Sequence, residues 1–222
     1  MKPIRSLSIA ASLTAAAALL LSGCGGGGHD SGNGKIKGAS EKPSSAAPSA
    51  SASTGPKIDR PDLTLPSDLE IKADWTAPSD PTDAAVLNDS VDFLRAINLA
   101  VTKQETKGAA FRFYVVPASA AKDFAEHHVQ VHIDKKHSVT GVEVLTQPKV
   151  SVVDTGKTAV ASFCVDDSKY YAKDLKTGKA IRTQPSLSDY TYMQIVMTAS
   201  EQNKGLWRAK DVKAEGSAEK CK

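Results

Sequence analysis

The spacing of apolar residues predicts a long helix at the start of the patterned part of the chain. Its apolar positions recur every three or four residues and form one stripe: Leu87, Val91, Leu94, Ile97 and Val101. That spacing is typical of an amphipathic helix with one face in a core. Asp80 and Pro81 supply an N-cap and a favoured first helical residue, and Gly108 is a stop signal. We therefore expect a helix from about Pro81 to Gln104.

Two more elements flank this helix. Alternating apolar and polar residues over 69–75 predict a short, half-buried strand. Ser119 opens a second helix, whose core-facing positions are Ala121, Phe124, Ala125, Val129 and Ile133. Residues 111–116 are apolar on both parities, and their pattern fits either a helix or a strand.

After Gly141 the period of the apolar positions changes to two, which predicts strands. The predicted strands and turns follow in order: a strand over 142–152, a turn over 154–157, a strand over 159–165, a hairpin over 170–181, a strand over 190–197, a turn over 203–205 and a last strand over 206–209. The first strand is interrupted near Pro148. The strand over 190–197 is rich in apolar and aromatic residues on both parities, which favours an interior strand covered on both faces.

Helices followed by an antiparallel meander indicate an α+β fold. Residues 61–222 suit one domain and are too few for two ordinary ones. The chain is 41% hydrophobic but only 5% aromatic, so we expect an aliphatic core. Residues 61–222 carry 21 Lys and Arg against 22 Asp and Glu. A near-neutral domain lacks the basic surface that nucleic-acid binding needs, so we expect no nucleic-acid partner.

The N-terminus predicts export and a lipid anchor. Lys2 and Arg5 precede an apolar stretch from Leu7 to Leu21, which is short for a membrane span. The stretch ends in Leu21-Ser22-Gly23-Cys24, which resembles the lipobox of bacterial lipoproteins. The resemblance implies removal of a signal peptide over residues 1–23 and lipidation of Cys24, hence an extracytoplasmic protein held on the cell membrane by acyl chains such as palmitate. The alternative is an ordinary secretory signal followed by a chance cysteine.

Residues 24–60 predict a disordered tether. Residues 25–28 are all glycine, and residues 43–56 contain only Ser, Ala, Pro, Thr and Gly. Such a segment cannot bury enough apolar area to offset its chain entropy. It is either a bare spacer or, as its similarity to tethers of actinobacterial lipoproteins implies, an O-glycosylated one.

The cysteines agree with an oxidising compartment. With Cys24 lipidated, Cys164 and Cys221 remain, and one intramolecular disulfide is the simplest pairing. It would link the C-terminus to a strand. A catalytic thiol at Cys164 is the alternative, but no pattern supplies a partner histidine.

The domain resembles a known group. Four short motifs carry the resemblance: Leu65-Pro66-Ser67-Asp68-Leu69 leading to Asp89, Thr140-Gly141, Ser162-Phe163-Cys164-Val165-Asp166, and Gly205-Leu206-Trp207 with the terminal Cys221. Over residues 66–221 the chain is similar to the nuclear-transport-factor-2-like domain of actinobacterial secreted lipoproteins. The resemblance implies a cystatin-like α+β cone, in which a strongly curved antiparallel sheet wraps round N-terminal helices. This fold hosts enzymes, binding proteins and protein-docking modules, so it selects none of them.

A histidine cluster is a candidate metal site. Four of the five histidines lie between His127 and His137, and His128 and His132 stand one helical turn apart. This i, i+4 spacing is the one that zinc or copper pairs use. No third ligand is fixed by the pattern, and a solvated helix face with cations at its C-terminus is the alternative.

Asp166, Tyr170 and Tyr192 are candidate residues of a cone cavity. Enzymes of the cone fold commonly place an aspartate with a histidine or tyrosine in the cavity, and proton transfer there needs a carboxyl group with a raised pKa. Asp166 has the opposite parity from Phe163 and Val165, and the sequence does not fix which face of the sheet it takes. A structural hydrogen bond is its alternative role. The tyrosines also suit packing across strands.

These patterns favour a non-enzymatic binding or scaffold module of the cell envelope. The partners we expect are the membrane, through the lipid anchor, and an envelope protein or a small apolar ligand. No catalytic residue is assigned and no cofactor is expected, because no phosphate loop, nucleophile elbow, HExxH or CxxC motif occurs. The alternatives are a small-molecule isomerase or hydrolase that uses the cone, and a metal-binding lipoprotein that uses the histidines.

Overall fold

The structure, a computed structural model, describes residues 58–154 and 156–222. Residues 51–222 form one compact unit. The predicted signal peptide, the lipidation at Cys24 and residues 24–57 of the predicted tether lie outside the described residues. Within them, no helix is long and apolar enough to cross a membrane.

The elements follow the predicted order, but the strand predicted over 159–165 and the first half of the hairpin predicted over 170–181 form one strand. The elements are β1 (Leu69–Ala73), α1 (Pro81–Lys103), α2 (Ala109–Tyr114), α3 (Ala120–Asp134), β2 (His137–Val153), β3 (Thr158–Asp174), β4 (Ala180–Ile181), β5 (Tyr190–Ala199) and β6 (Trp207–Gly216). Short 3-10 turns span Leu187–Asp189 and Glu219–Cys221. The fold is α+β, with N-terminal helices packed on a curved antiparallel sheet, which confirms the predicted class.

Helix α1 begins and ends where its sequence signals lie. The Asp80 carboxylate accepts hydrogen bonds from the backbone N–H groups of Thr82 and Asp83, at 2.8 and 3.0 Å. Gln104 ends the helix in a left-handed conformation, φ 56°, and its N–H bonds back to helix carbonyls. The segment that fitted either type of element is the short helix α2, and Ser119 caps α3 as predicted.

The sheet has the strand order β1-β2-β3-β5-β6, with β4 attached to β3. β1 runs parallel to β2, and the other pairs are antiparallel. β5 is therefore an interior strand of the sheet, as its pattern indicated, but only Met193, Ile195 and Met197 on its helix-facing side are buried, so the predicted cover on both faces is not found. One face of the sheet packs on the helices, with Phe163, Ile195 and Met197 wholly buried there.

Two β-bulges bend the long β2–β3 hairpin. One lies between Thr146 and Lys149 of β2, near the predicted interruption at Pro148, and the other lies between Val142 and Val144. An extra residue on one strand increases the local twist and bend of a sheet. The second bulge also determines which side chains of β3 face the helices.

The opposite face of the sheet carries the C-terminus. Cys164 of β3 is disulfide-bonded to Cys221, with the two Cα atoms 5.3 Å apart. The pair packs with Ala218, Tyr190 and Tyr192 in a small cluster of its own. The predicted disulfide is therefore present in the structure.

A buried ion pair fastens the N-terminal end of the described chain. The side chain of Arg60 pairs with Asp89 of α1, which is fully buried and also accepts the backbone N–H of Trp207 at 2.7 Å. Ile58 packs against the core. Residues 58–60, which the sequence analysis assigned to the tether, thus contact the domain.

Candidate functional site

Two acidic side chains, next to a bulge in β3, lie on the helix-facing side of the sheet. Val142 pairs with Lys169 and Val144 pairs with Asp166, so Glu143 alone stands opposite two residues of β3. Asp167 has the parity of the core residues before the bulge. The extra residue then shifts the alternation, so Tyr170 also faces the helices and packs on the core.

Glu143, Asp167, Tyr170 and Asn98 form the cluster that we call the acid cluster. The hydroxyl of Tyr170 donates a 2.5 Å hydrogen bond to the side-chain oxygen of Asn98, and the amide nitrogen of Asn98 donates to the carbonyl of Leu94 at 3.2 Å. Asn98 lies on α1, so the cluster joins the long helix to the β2–β3 hairpin.

The two carboxyl groups are poorly satisfied. Glu143 is only 8% exposed, and its Oε1 atom has no hydrogen-bond partner. One carboxyl oxygen of Asp167, Oδ1, is also buried without a partner, although the residue as a whole is half-buried. A buried polar atom without a partner costs about 1–3 kcal/mol, so such atoms are uncommon in native proteins and call for a physical reason.

Burial makes both carboxyl groups hold their protons. Burial raises the pKa of Glu143 well above its ordinary value, the charge of Asp167 raises it further, and the contact with Asn98 acts in the opposite direction. Burial, followed by the charges of Asp166 and Asp189, raises the pKa of Asp167 to about 7. The pair therefore titrates as a unit and keeps at least one proton near neutral pH.

Tyr170 remains a neutral hydrogen-bond donor in this setting. Burial, and then the charges of Glu143 and Asp167, raise the pKa of its hydroxyl well above the ordinary value. The acid cluster thus combines one proton-holding carboxyl pair with a fixed hydroxyl in an apolar surrounding. Such a set can bind a hydrogen-bond donor or a cation, or exchange a proton with a bound molecule.

The three predicted cavity residues divide between the two faces of the sheet. Tyr170 belongs to the acid cluster. Asp166 has the parity of Cys164, away from the helices, and its carboxylate accepts the backbone N–H of Ser168 at 2.9 Å. Tyr192 also lies with the disulfide on that opposite face, and the ammonium of Lys220 stands 3.7 Å from its ring centre. Asp167, and not Asp166, shares the helix-facing side with Tyr170.

The histidine pair lies on α3 and is half-buried. The ring centres of His128 and His132 are 5.0 Å apart, and Nδ1 of His132 is buried without a partner. Burial, followed by the charges of His132 and His127, lowers the pKa of His128 to about 4. Among residues 58–154 and 156–222, no three His, Cys, Asp or Glu side chains are grouped to hold a metal ion.

The sequence analysis missed Glu143 and Asn98. Val142 and Val144 suggested the apolar face of the strand, whereas Glu143 and Leu145 occupy the core side. The available signal was Leu145, an apolar residue on the parity of Glu143. Asn98 was not singled out because it lies beside the apolar stripe of α1 and belongs to no recognised motif.

Comparisons with known proteins found similar solved structures only. No protein-family model matches the chain, and no curated protein matches it. Eleven chains of solved structures match. A nuclear-transport-factor-2-like superfamily protein from Salmonella enterica is similar over 62% of this chain and 92% of its own, with 18% identity and a TM-score of 0.41.

Two further structures are similar at the same level. A putative ketosteroid isomerase from Shewanella frigidimarina has 16% identity and a TM-score of 0.34, over 60% of this chain and 97% of its own. A domain with a cystatin-like fold from Nostoc punctiforme has 14% identity and a TM-score of 0.37, over 58% and 76%. At these identities and scores the likenesses support no inference about activity.

Proposed function

We propose that this chain is a membrane-anchored extracytoplasmic lipoprotein whose domain is a non-enzymatic binding module of the cell envelope. In this proposal the acid cluster holds a small molecule with an apolar body and a protonated amine, or another strong hydrogen-bond donor. One observation carries the binding function: Oε1 of the buried Glu143 lacks a hydrogen-bond partner. A bound donor would supply that partner and recover the cost of burying the carboxyl group.

The access and the charge of the cluster support a ligand of this class. Asp167 is more exposed than Glu143 as a residue, so a ligand would enter the cluster beside Asp167. A pair that has lost one of its two protons carries one negative charge in an apolar surrounding, which favours a single cation. The charged ligand would in turn stabilise the ionised form of both carboxyl groups.

Native mass spectrometry tests the binding function. Residues 51–222, the compact unit, are exported, purified with the disulfide intact and sprayed from a volatile buffer. We expect a bound mass that disappears on denaturation and that is absent from Glu143→Gln. Glu70→Gln, on the exposed face of β1, is the matched control and should keep the bound mass. A wild-type domain that shows only its own mass, and that fails to bind an added alkylamine, would contradict the proposal.

The anchor is tested separately with the full chain. The N-terminal motif that ends in Cys24 supports lipidation. The exported full chain should enter the detergent phase on phase separation and carry the mass of its acyl chains, and Cys24→Ser should remain in the aqueous phase. Aqueous partition of the wild-type chain would contradict the anchor and leave the binding proposal untouched.

The raised pKa of Asp167 favours proton transfer as a second candidate function. A carboxyl group that titrates near neutral pH is a suitable general acid or base, and Asp167 rather than Asp166 would then act with Tyr170. If the bound molecule is a substrate, incubation in D2O should introduce deuterium at a carbon of that molecule in the presence of the wild-type domain. Asp167→Asn should not catalyse this exchange. Recovery of the ligand without deuterium would leave binding as the function.

A further inference from the structure

One end of the sheet forms a continuous surface that neither the core nor the acid cluster uses. It consists of the β3–β4 hairpin over residues 174–182 and of residues 135–137, which run from the end of α3 into β2, and we call it the basic tip. The backbone N–H of Leu175 bonds to the carbonyl of Lys136 at 3.1 Å, and His137 pairs with Asp174 in the sheet. These contacts fix the two segments side by side.

The basic tip exposes two large aliphatic side chains. Leu175 is 45% exposed and Ile181 is 42% exposed. Only two other large apolar residues of the described chain are so exposed, Val152 and Val153, which lie at the turn of the β2–β3 hairpin. Both side chains are therefore available for a contact outside the domain.

Basic side chains are numerous on and beside the basic tip. Six exposed basic residues lie on the tip or next to it: Lys135, Lys136, Lys169, Lys176, Lys179 and Arg182. None of them takes part in an ion pair with another described residue. Five of them lie within the tip itself, where Asp174 is the one acidic residue, so the tip carries a net positive charge in a domain that is nearly neutral as a whole.

A groove of about 430 Å³ opens beside the tip. Lys169, Tyr171 and Arg182 line it, and the Arg182 guanidinium lies 4.9 Å from the centre of the Tyr171 ring. The one carboxylate in its wall, Asp68, is already paired with the ammonium of Lys173 at 2.8 Å. The groove therefore presents two unpaired cations and an aromatic ring, which suits an anionic group such as a phosphate.

We propose that the basic tip docks on a membrane surface that contains anionic phospholipids. Leu175 and Ile181 enter the boundary between headgroups and acyl chains, the surrounding cations attract the lipid phosphates, and the groove accepts one headgroup. Apolar insertion and attraction to anionic lipid act together in peripheral membrane binding. The distribution of charge favours the basic tip over the turn between β2 and β3, where the charges of Asp154 and Lys157 cancel.

Flotation with lipid vesicles tests the docking surface. The soluble unit of residues 51–222 is used, which lacks Cys24, so the outcome does not depend on the lipid anchor. We expect it to float with vesicles that contain phosphatidylglycerol and to remain behind with pure phosphatidylcholine vesicles. Binding should weaken as the ionic strength rises, since salt screens exposed charges.

Four variants separate docking on the tip from unspecific adsorption. Lys176→Gln with Lys179→Gln should weaken binding about thirtyfold, because each cation near an anionic membrane contributes about 1 kcal/mol. Leu175→Ser with Ile181→Ser should weaken it about tenfold or more. The matched controls, Lys210→Gln with Lys213→Gln on exposed positions of β6 and Val152→Ser with Val153→Ser on the other hairpin end, should bind like the wild type.

The result can overturn the proposal in two ways. Failure of the folded wild-type unit to float with anionic vesicles at low ionic strength would refute docking itself. Equal losses in the tip variants and in their matched controls would show unspecific adsorption instead of a docking surface. Circular dichroism and the mass of the oxidised chain confirm that each variant is folded, which is expected because all eight positions are exposed.

Discussion

Replacement of Asp167 by Asn should change how the stability of the domain depends on pH. The pKa of Asp167 is about 7 in the folded domain, against an ordinary value of 3.8. Between these values the folded chain holds a proton that the unfolded chain has lost, so the free energy of unfolding falls as the pH rises. Asparagine has a similar shape and does not ionise, so this part of the pH dependence disappears in the variant.

The size of the effect follows from the displacement of the pKa. Each pKa unit corresponds to 1.36 kcal/mol, so ionisation of Asp167 in the folded domain costs about 4 kcal/mol. The free energy of unfolding of Asp167→Asn, relative to the wild type, should therefore rise by about 2–4 kcal/mol between pH 4 and pH 8. The lower figure applies if Glu143 takes over part of the proton binding.

Urea unfolding of both chains at several pH values measures this difference. His128, whose pKa is lowered to about 4, contributes the opposite slope, because its protonation below about pH 6.5 favours unfolding. That contribution is common to both chains and cancels. Asp211→Asn, on exposed β6, is the matched control. Parallel stability curves for the wild type and Asp167→Asn would refute the raised pKa of Asp167.

Three further changes test the packing that positions the site. Replacing Cys164 and Cys221 together by Ala should lower the free energy of unfolding in urea by up to about 4 kcal/mol, given their separation of 57 residues; an unchanged midpoint would show that the bridge adds no stability. Asp89→Ala should lower the free energy of unfolding by about 3 kcal/mol in the same assay, since it removes the acceptor of the buried Trp207 N–H and the partner of the Arg60 guanidinium. A loss below about 1 kcal/mol would show that the ion pair contributes no more than an exposed one. Gly141→Ala should lower the melting temperature much more than Gly178→Ala. Both glycines have positive φ, but the added Cβ would lie 2.0 Å from a strand carbonyl oxygen at Gly141 and in open space at Gly178, so equal effects would contradict this close approach.

Local signals were enough to predict α1, α3 and the succession of strands along the chain, whereas residues 111–116 fitted either a helix or a strand. The apolar stripe of α1 and its cap at Asp80 are properties of neighbouring residues, and the helix begins at Pro81 as expected. The interior place of β5 followed from its two apolar faces. The class of the fold depends on such patterns, which the chain carries within each element.

The acid cluster could not be predicted in the same way. Asp167 keeps the parity of Phe163 and Val165, but Tyr170 reaches the same side only through the bulge opposite Glu143, and a bulge is a property of two paired strands. A strict alternation from Val165 through Asp167 would continue to Lys169, whereas the bulge turns Tyr170 to the core side. The hydrogen bond between Tyr170 and Asn98 likewise forms only when α1 packs on the sheet.

The most direct test of the acid cluster is a carbon NMR titration of the Glu143 and Asp167 carboxyl groups in residues 51–222. We expect the pair to keep a proton up to about pH 7 and to titrate in two linked steps instead of two independent ones. Glu143→Gln should simplify the response of Asp167 to one step, because a coupled neighbour is removed. Full ionisation of both carboxyl groups by about pH 5, close to the ordinary range of Asp and Glu, would contradict the account.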